Sequence, residues 1–131
     1  MDIVVDTSVI VAVLVNEPHK NTLVGLTKGA ELVAPASVHW EIGNAFSAML
    51  KRNRIDLAQA LKAIEAYHRI PIRFIDVELE DTLAIAAQHA VYAYDAYLIR
   101  CALKFNAPLL SLDKRLLQAA QQAGARVIEV E

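Results

Sequence analysis

Cysteine is nearly absent from this sequence, since Cys101 is the only one among 131 residues. A lone cysteine excludes an intrachain disulfide and any zinc or iron-sulfur site built from several cysteines. The longest uninterrupted apolar stretch, residues 9–15, falls far short of the roughly 20 residues that cross a bilayer. The sequence opens directly on a short apolar run, without a basic leader segment. We therefore expect a cytoplasmic protein that is neither exported nor embedded in a membrane.

Glycine is also scarce, and the four glycines are scattered along the chain. A phosphate-binding loop or a dinucleotide fingerprint needs clustered glycines, so a nucleotide cofactor is disfavoured. An excess of charge of one sign is lacking too: 13 basic and 15 acidic residues give a net charge of -2, which leaves only a local basic patch to attract nucleic acid. The length and the 56% hydrophobic content predict one domain, residues 1–131, that needs no metal or disulfide merely to fold.

Short β-branched runs alternate with stretches of helical periodicity along the chain. The strands are predicted at residues 3–5, 31–34, 72–77, 108–112 and 127–130. The helices are predicted at residues 9–14, 17–28, 37–52, from 56 onward, 79–90, 96–105 and 114–123. This alternation predicts an α/β protein with a central parallel sheet covered by helices on both faces, which binds its ligands beyond the carboxyl ends of the strands.

Two local expectations follow from side-chain chemistry and period. Thr7 and Ser8 are candidate caps for the first helix, and Asp56 for the fourth. The apolar positions of the third and fourth helices are expected to face the interior in a helical hairpin, although this hairpin could instead offer an apolar surface to another subunit. The positions that carry this expectation are Trp40, Phe46, Met49, Leu57, Ala60, Leu61 and Ile64.

Four acidic residues are not fully explained as caps or solvated charges. Asp6 and Asp113 directly follow predicted strands, where an α/β sheet places its ligands, although each could also cap the next helix. Asp95 precedes Leu98 and Ile99 by three and four positions, so it lies on the same inward stripe of its helix. The spacing of Glu41 likewise places it on the packed side of the third helix.

Carboxylates buried together raise one another's pKa unless a cation compensates. Oxygen ligands without a histidine or cysteine cluster favour Mg²⁺ or Mn²⁺. Such ions activate water and neutralise charge on a phosphate during phosphodiester cleavage. Spacing alone does not bring positions 6, 41, 95 and 113 together, however, and a fold is needed to do so.

Three segments of the chain supply such a fold by resemblance: VVDTSVIVAVL, HWEIGNAF and YDAYLIRCALKFNAPLLSLDKRL. They closely resemble a PIN-domain ribonuclease, specifically the VapC-type toxin of bacterial and archaeal toxin-antitoxin pairs, and the resemblance covers essentially the whole chain. It implies a three-layer α/β/α fold with a central parallel sheet of four to five strands. It also implies Mg²⁺- or Mn²⁺-dependent endoribonuclease activity, a homodimer, and inhibition by a cognate VapB-type antitoxin bound near the active site.

The resemblance further implies that four acids bind the metal and carry catalysis: Asp6, Glu41, Asp95 and Asp113. Ser8 resembles the hydroxyl residue that accompanies the first acid, and Ser111 the one two places before the last. Asn44, one turn after Glu41, would orient that acid or contact the substrate. Some relatives carry an additional acid where this sequence has Leu98 and Ile99, which leaves open whether one or two metals bind.

Basic residues near the last two acids could steer RNA phosphates toward the site, namely Arg100, Lys114 and Arg115. Their alternative role is solubility and ion pairing. Which RNA is bound is not set by the sequence, because RNA specificity depends on shape and loop geometry.

Other functions remain open at this stage. A small-molecule metal-dependent phosphatase is the nearest enzymatic alternative, although a covalent aspartyl-phosphate mechanism would need an acid where Ser8 stands. A non-catalytic PIN-like module that binds RNA or a partner would use the four acids only as caps. The His39-Trp40-Glu41 element is shared with zinc deaminases, which also need a pair of cysteines.

Overall fold

The computed structural model describes residues 1–130; Glu131, the last residue of the predicted domain, lies outside the described residues. Five strands are present in this part of the chain: β1 (Asp2–Val5), β2 (Glu31–Pro35), β3 (Ile72–Ile75), β4 (Leu109–Ser111) and β5 (Val127–Glu129). They form one parallel sheet in the order β3-β2-β1-β4-β5. The prediction of a central parallel sheet is therefore confirmed.

Seven helices accompany the sheet within residues 1–130: α1 (Thr7–Leu14), α2 (Lys20–Thr27), α3 (Ser37–Lys51), α4 (Leu57–His68), α5 (Leu79–His89), α6 (Ala93–Phe105) and α7 (Lys114–Gln122). They cover both faces of the sheet, which gives the expected three-layer α/β/α architecture. In the described chain no helix combines the length and the apolar content that crossing a membrane requires.

The topology brings the ends of distant strands together. The central strand β1 lies between β2 and β4, with Val4 opposite Leu109 and Val5 opposite Leu110. All these strand residues are buried, because the sheet is covered on both faces. Since the strands are parallel, their carboxyl ends share one edge, and the residues that follow β1, β2 and β4 meet there.

Aspartates cap three of the helices. Asp6 caps α1 by accepting a hydrogen bond from the Val9 amide, so the prediction that Thr7 or Ser8 caps this helix was wrong. Asp56 caps α4 as predicted, in a reciprocal pair with Gln59 at 2.7 and 2.9 Å. Asp113 caps α7, which confirms one of its two candidate roles.

The helical hairpin differs from the expectation at three positions. Phe46 and Met49 are buried in the core, but Trp40 is 73% exposed. Leu57 and Leu61 are exposed as well, because the buried stripe of α4 runs through Ala60 and Tyr67 and the two leucines lie beside it. The apolar character of these side chains alone assigns them to the core, whereas the packing of neighbouring elements decides which of them is covered.

Candidate active site

Asp6 leaves the end of β1 and is buried, with only 6% of its surface exposed. Its Oδ1 atom accepts hydrogen bonds from the Ser8 hydroxyl at 2.7 Å and from the Val9 amide at 3.2 Å, and its Oδ2 atom accepts one from the Ser111 hydroxyl at 2.6 Å. A carboxylate has about four acceptor positions, two on each oxygen. Oδ1 is therefore saturated, and Oδ2 keeps one position free for a ligand.

Two serines tie the strand ends together. The Ser111 hydroxyl donates to Asp6 and accepts a hydrogen bond from the Asp113 amide at 2.9 Å. The Ser8 hydroxyl likewise accepts one from the Leu112 amide at 3.1 Å. The loop after β4 is thus fixed to the start of α1 by the hydrogen bonds of these two serines.

One carboxylate oxygen of Asp113 accepts hydrogen bonds from backbone amides only. Its Oδ1 atom accepts hydrogen bonds from the amides of Arg115 at 3.0 Å and Leu116 at 3.3 Å. Its Oδ2 atom takes no part in these bonds. The capping role and a ligand role for Asp113 are therefore compatible, because each uses a different oxygen.

Asp95 and Glu41 approach the same edge from helices α6 and α3. Asp95 lies in the first turn of α6, and the stripe that it shares with Leu98 and Ile99 is inward, as its spacing predicts. Glu41 is half-buried, and its Oε2 atom is enclosed without a hydrogen-bond partner. An enclosed carboxylate oxygen with no partner is costly and marks a position that a ligand or a cation can satisfy.

The four carboxyl groups are electrostatically coupled in a closed ring. Burial raises the pKa of Asp6 against the hydrogen bonds that lower it, and the charge of Asp113 raises it further. Burial, with the charges of Asp6 and Asp95, raises the pKa of Glu41 from 4.5 to about 7. Burial, with the charge of Asp113, also raises the pKa of Asp95. Each acid therefore has two of the others as electrostatic neighbours.

Two further hydroxyl groups lie at this edge; the sequence offers Thr7 only as a helix cap and does not single out Ser37. Three buried side-chain oxygens of residues 1–130 lack a hydrogen-bond partner, and they belong to Thr7, Ser37 and Glu41. Thr7 follows Asp6 directly, and Ser37 lies four residues before Glu41, on the same face of α3. That spacing was visible in the sequence, but burial without a partner was not. Unsatisfied polar atoms concentrated at one edge of the sheet mark it as a functional region.

The predicted substrate-binding residues differ in their surroundings. Arg100 forms ion pairs with Glu78 at 3.2 Å and Asp81 at 3.6 Å, and Lys104 bonds to Glu78 at 2.7 Å. A hydrogen bond from Lys104, then a backbone hydrogen bond and a smaller contribution from Arg100, hold the pKa of Glu78 down at about 2. The guanidinium of Arg100 is thus already engaged.

Lys114 and Arg115 are both exposed, and no ion pair within residues 1–130 involves either. Asn44 is exposed one turn beyond Glu41, and its backbone carbonyl accepts a hydrogen bond from the Ser47 hydroxyl at 2.8 Å.

The acids suit a divalent cation in chemistry, although they are not drawn together. No group of three or more histidine, cysteine, aspartate or glutamate side chains among residues 1–130 is arranged to hold a metal ion. Their oxygens are the hard ligands that Mg²⁺ and Mn²⁺ prefer, and the Oε2 atom of Glu41 is unpartnered. The residues therefore fit the cation as a donor set.

A parallel sheet with coupled carboxylates along its carboxyl edge defines an α/β protein with an acidic site. The family model for the PIN domain matches residues 3–122, and the chain belongs to this family. PIN domains are generally nucleases, and PIN nucleases usually use divalent metals. A comparison with curated proteins gives no match.

Several solved structures share the fold. PAE2754 from Pyrobaculum aerophilum is 20% identical over 99% of this chain and 90% of its own, with a TM-score of 0.78. VapBC2 from Rickettsia felis, bound to a DNA fragment from their promoter, is 16% identical with 100% of both chains covered and a TM-score of 0.70. FitAcB from Neisseria gonorrhoeae is 18% identical over 96% of both chains, with a TM-score of 0.64. At these identities, the likeness shows a common fold.

The Ser111 hydroxyl bridges the Asp6 carboxylate and the Asp113 amide, and a first prediction follows from this bridge. Ser111→Ala leaves Asp6 without one donor and the Asp113 amide without its acceptor, so we expect a loss of about 1–3 kcal/mol in the free energy of unfolding. We also expect divalent-metal affinity to fall by roughly 10- to 100-fold, as for groups that orient metal ligands. Chemical denaturation and a Mn²⁺ titration measure the two effects. Ser47→Ala, an exposed serine on α3, is the control, and equal behaviour of both variants would contradict the bridging role.

Proposed function

We propose that residues 1–131 form a single domain that acts in the cytoplasm as a divalent-metal-dependent endoribonuclease, the toxin of a toxin-antitoxin pair. The observation that carries this proposal is the ring of four coupled carboxyl groups at the carboxyl edge of a PIN-domain sheet. Structural caps alone do not account for it, because Glu41 caps no helix and has an enclosed oxygen without a partner.

Four residues would hold Mg²⁺ or Mn²⁺: Asp6, Glu41, Asp95 and Asp113. When bound, such an ion activates a water molecule and neutralises charge that develops on the phosphate. The chain prepares this site through its own hydrogen bonds, since Ser8 and Ser111 fix the Asp6 carboxylate and leave one position on Oδ2 free. Ser111 also positions Asp113, whose Oδ2 atom is left free by the cap. Repulsion among the acids would be relieved when their side chains close on a cation.

The RNA phosphates would contact Lys114 and Arg115 at the start of α7, next to Asp113. Both side chains are exposed, whereas Arg100 is engaged by two carboxylates, so Arg100 contributes mainly by fixing α5 against α6. Asn44, exposed one turn beyond Glu41, is a second candidate for a substrate contact.

A second prediction tests whether Lys114 and Arg115 contact the RNA. The double variant Lys114→Glu with Arg115→Glu should weaken RNA binding at low salt and flatten the salt dependence of affinity by roughly two phosphate contacts. Binding titrations at several salt concentrations, in the absence of divalent metal, measure this slope. Lys51→Glu with Arg52→Glu changes the same charge at the end of α3 and serves as the control. An unchanged slope in the α7 variant would remove these two residues from the RNA interface.

The antitoxin and the homodimer belong to the same proposal. The likeness to VapBC2 and to FitAcB supports a small VapB-type partner. Exposed apolar side chains on α2 and α4, including Val24, Leu57 and Leu61, support a protein partner over that side of the molecule. Co-expression with the protein of a neighbouring small reading frame, followed by size-exclusion chromatography, tests both the complex and the dimer.

The deciding experiment is cleavage of end-labelled total cellular RNA by purified protein freed of any antitoxin. Discrete cuts with Mn²⁺ or Mg²⁺ that disappear with EDTA and in Asp95→Asn are expected. RNA binding without cleavage in the presence of metal would favour the non-catalytic module. Hydrolysis of small phosphate esters with intact RNA would favour the phosphatase.

A further inference from the structure

Two tyrosines stand on either side of Asp95 in the sequence of α6. The rings of Tyr94 and Tyr97 pack edge to face, with their centroids 6.3 Å apart. Tyr94 is nevertheless 53% exposed. An aromatic pair that is ordered by mutual packing and still faces solvent is a preformed platform for another ring, because aromatic faces contribute much of the energy of binding.

A pocket of about 260 Å³ opens beside these rings; we call it the tyrosine pocket. Its walls are residues 35–37, residues 75–77, and Tyr94 with Tyr97. The first two segments lie at the carboxyl ends of β2 and β3, where Pro35 pairs with Ile75. The tyrosine pocket therefore lies along the same edge of the sheet as the acids. Its volume is below the roughly 300–1,000 Å³ of pockets for drug-sized ligands, and it suits a single ring system.

Two residues that line the tyrosine pocket lie close in sequence to proposed catalytic acids. Ser37 lines the tyrosine pocket four residues before Glu41, so both lie on one face of α3. Tyr94 precedes Asp95 on α6. The tyrosine pocket is therefore lined by one residue a helical turn from Glu41 and by another adjacent to Asp95, so a nucleobase seated in it would place its own phosphate toward these acids.

The polar groups of the pocket add a chemical preference. Ser37 has a buried hydroxyl without a partner. The Asp76 residue lines the opposite wall, and its backbone carbonyl accepts a hydrogen bond from Lys104 at 3.2 Å, which fixes this part of the rim. A carboxylate only accepts hydrogen bonds, so Asp76 favours the amino group of a base over the N3–H of uracil, because two carbonyl oxygens flank that N3–H and repel a carboxylate.

We propose that the tyrosine pocket receives one nucleobase of the RNA, stacked on Tyr94 and read by Asp76, with preference for a base carrying an exocyclic amino group over uracil. This inference rests on the proposed function, since it assigns substrate specificity to the same site. Stacking on an aromatic side chain supplies affinity for any base, and the carboxylate supplies the selection.

The test uses binding of fluorescein-labelled hexacytidylate and hexauridylate to the full chain in EDTA, so that it does not depend on cleavage. Tyr94→Ala should weaken binding by roughly 5- to 100-fold, the range that stacking on an aromatic side chain gives, while Tyr94→Phe keeps near-wild-type affinity. Asp76→Asn should reduce the preference for hexacytidylate, since cytosine carries an amino group where uracil carries a carbonyl oxygen and the neutral asparagine amide can pair with either. Tyr92→Ala, the most exposed tyrosine and not part of the pocket, is the control that should change nothing.

The outcomes separate this inference from the proposed function. Base-dependent binding that is lost in Tyr94→Ala, in a protein that cuts no RNA, would support the pocket and overturn the nuclease. Metal-dependent cleavage with the same KM in wild type and Tyr94→Ala would support the nuclease and overturn the pocket. Loss of antitoxin binding in Tyr94→Ala, with RNA binding intact, would assign this surface to a protein partner and also overturn it.

Discussion

Asp6→Asn is expected to abolish metal-dependent RNA cleavage while leaving the protein folded. Asparagine caps a helix as well as aspartate does, so the hydrogen bond from the Val9 amide is retained. What is lost is the negative charge, the free ligand position on Oδ2 and the hydrogen bond that Oδ2 accepts from Ser111, since an amide nitrogen only donates. We expect the cleavage rate to fall by more than about 100-fold, because even groups that only orient metal ligands are worth roughly 10- to 100-fold.

The matched control for this variant is Asp56→Asn. Asp56 also caps a helix through its side chain, but it is exposed and lies at the start of α4. It should retain cleavage, and Mn²⁺ should raise its Tm as it does for the wild type, because a ligand that binds only the folded state stabilises it. Asp6→Asn should show neither effect. Normal cleavage by Asp6→Asn would mean that the acid serves only as a cap and would remove it from the catalytic site.

Much of the architecture follows from local sequence patterns. The alternation of β-branched runs and helical periods predicted every strand within a few residues, and the parallel sheet follows from that alternation. The helix of Asp95 begins at Ala93, three residues before the prediction, because the periodic apolar signal starts only at Ala96. Helix ends depend on caps and loops, which carry less hydrophobic signal than the body of a helix.

The candidate site divides into a part that sequence reveals and a part that it does not. The sequence alone reveals an acid directly after a strand, such as Asp6, and an acid on an apolar stripe, such as Asp95. The hydrogen bond that Ser111 donates to Asp6 across 105 residues and the enclosed hydroxyl of Ser37 depend on strand order and packing, which no local pattern encodes. Trp40 illustrates the same limit, since its side chain is apolar but is exposed to solvent.

The ring of four coupled carboxyl groups destabilises the metal-free protein, and the effect is clearest at Glu41. Its pKa in the folded protein, about 7, lies above the ordinary value of 4.5, so the folded state binds this proton more tightly than the unfolded chain does. Protonation therefore favours folding. The contribution of Glu41 is most favourable below pH 4.5, and it is lost as the pH rises to about 7, above which the carboxylate opposes folding.

Glu41→Gln is therefore expected to stabilise the metal-free protein at pH 8 while it impairs metal binding. A shift of this size, discounted for partial exposure, corresponds to about 1–2 kcal/mol and to a rise in Tm of roughly 3–8 °C in EDTA. The gain should shrink toward pH 5, and Mn²⁺ should stabilise the variant less than the wild type.

A glutamine at Glu78 is expected to change the stability in the opposite direction. Lys104 and Arg100 hold the pKa of Glu78 down at about 2, so its charge favours folding above pH 4.5, and that contribution is lost as the pH falls toward 2. Glu78→Gln should thus lower the Tm at pH 8 under conditions in which Glu41→Gln raises it, and its response to Mn²⁺ should match the wild type. If both variants lowered the Tm in EDTA, Glu41 would be a stabilising side chain, and the argument that its charge is held in place for a cation would fail.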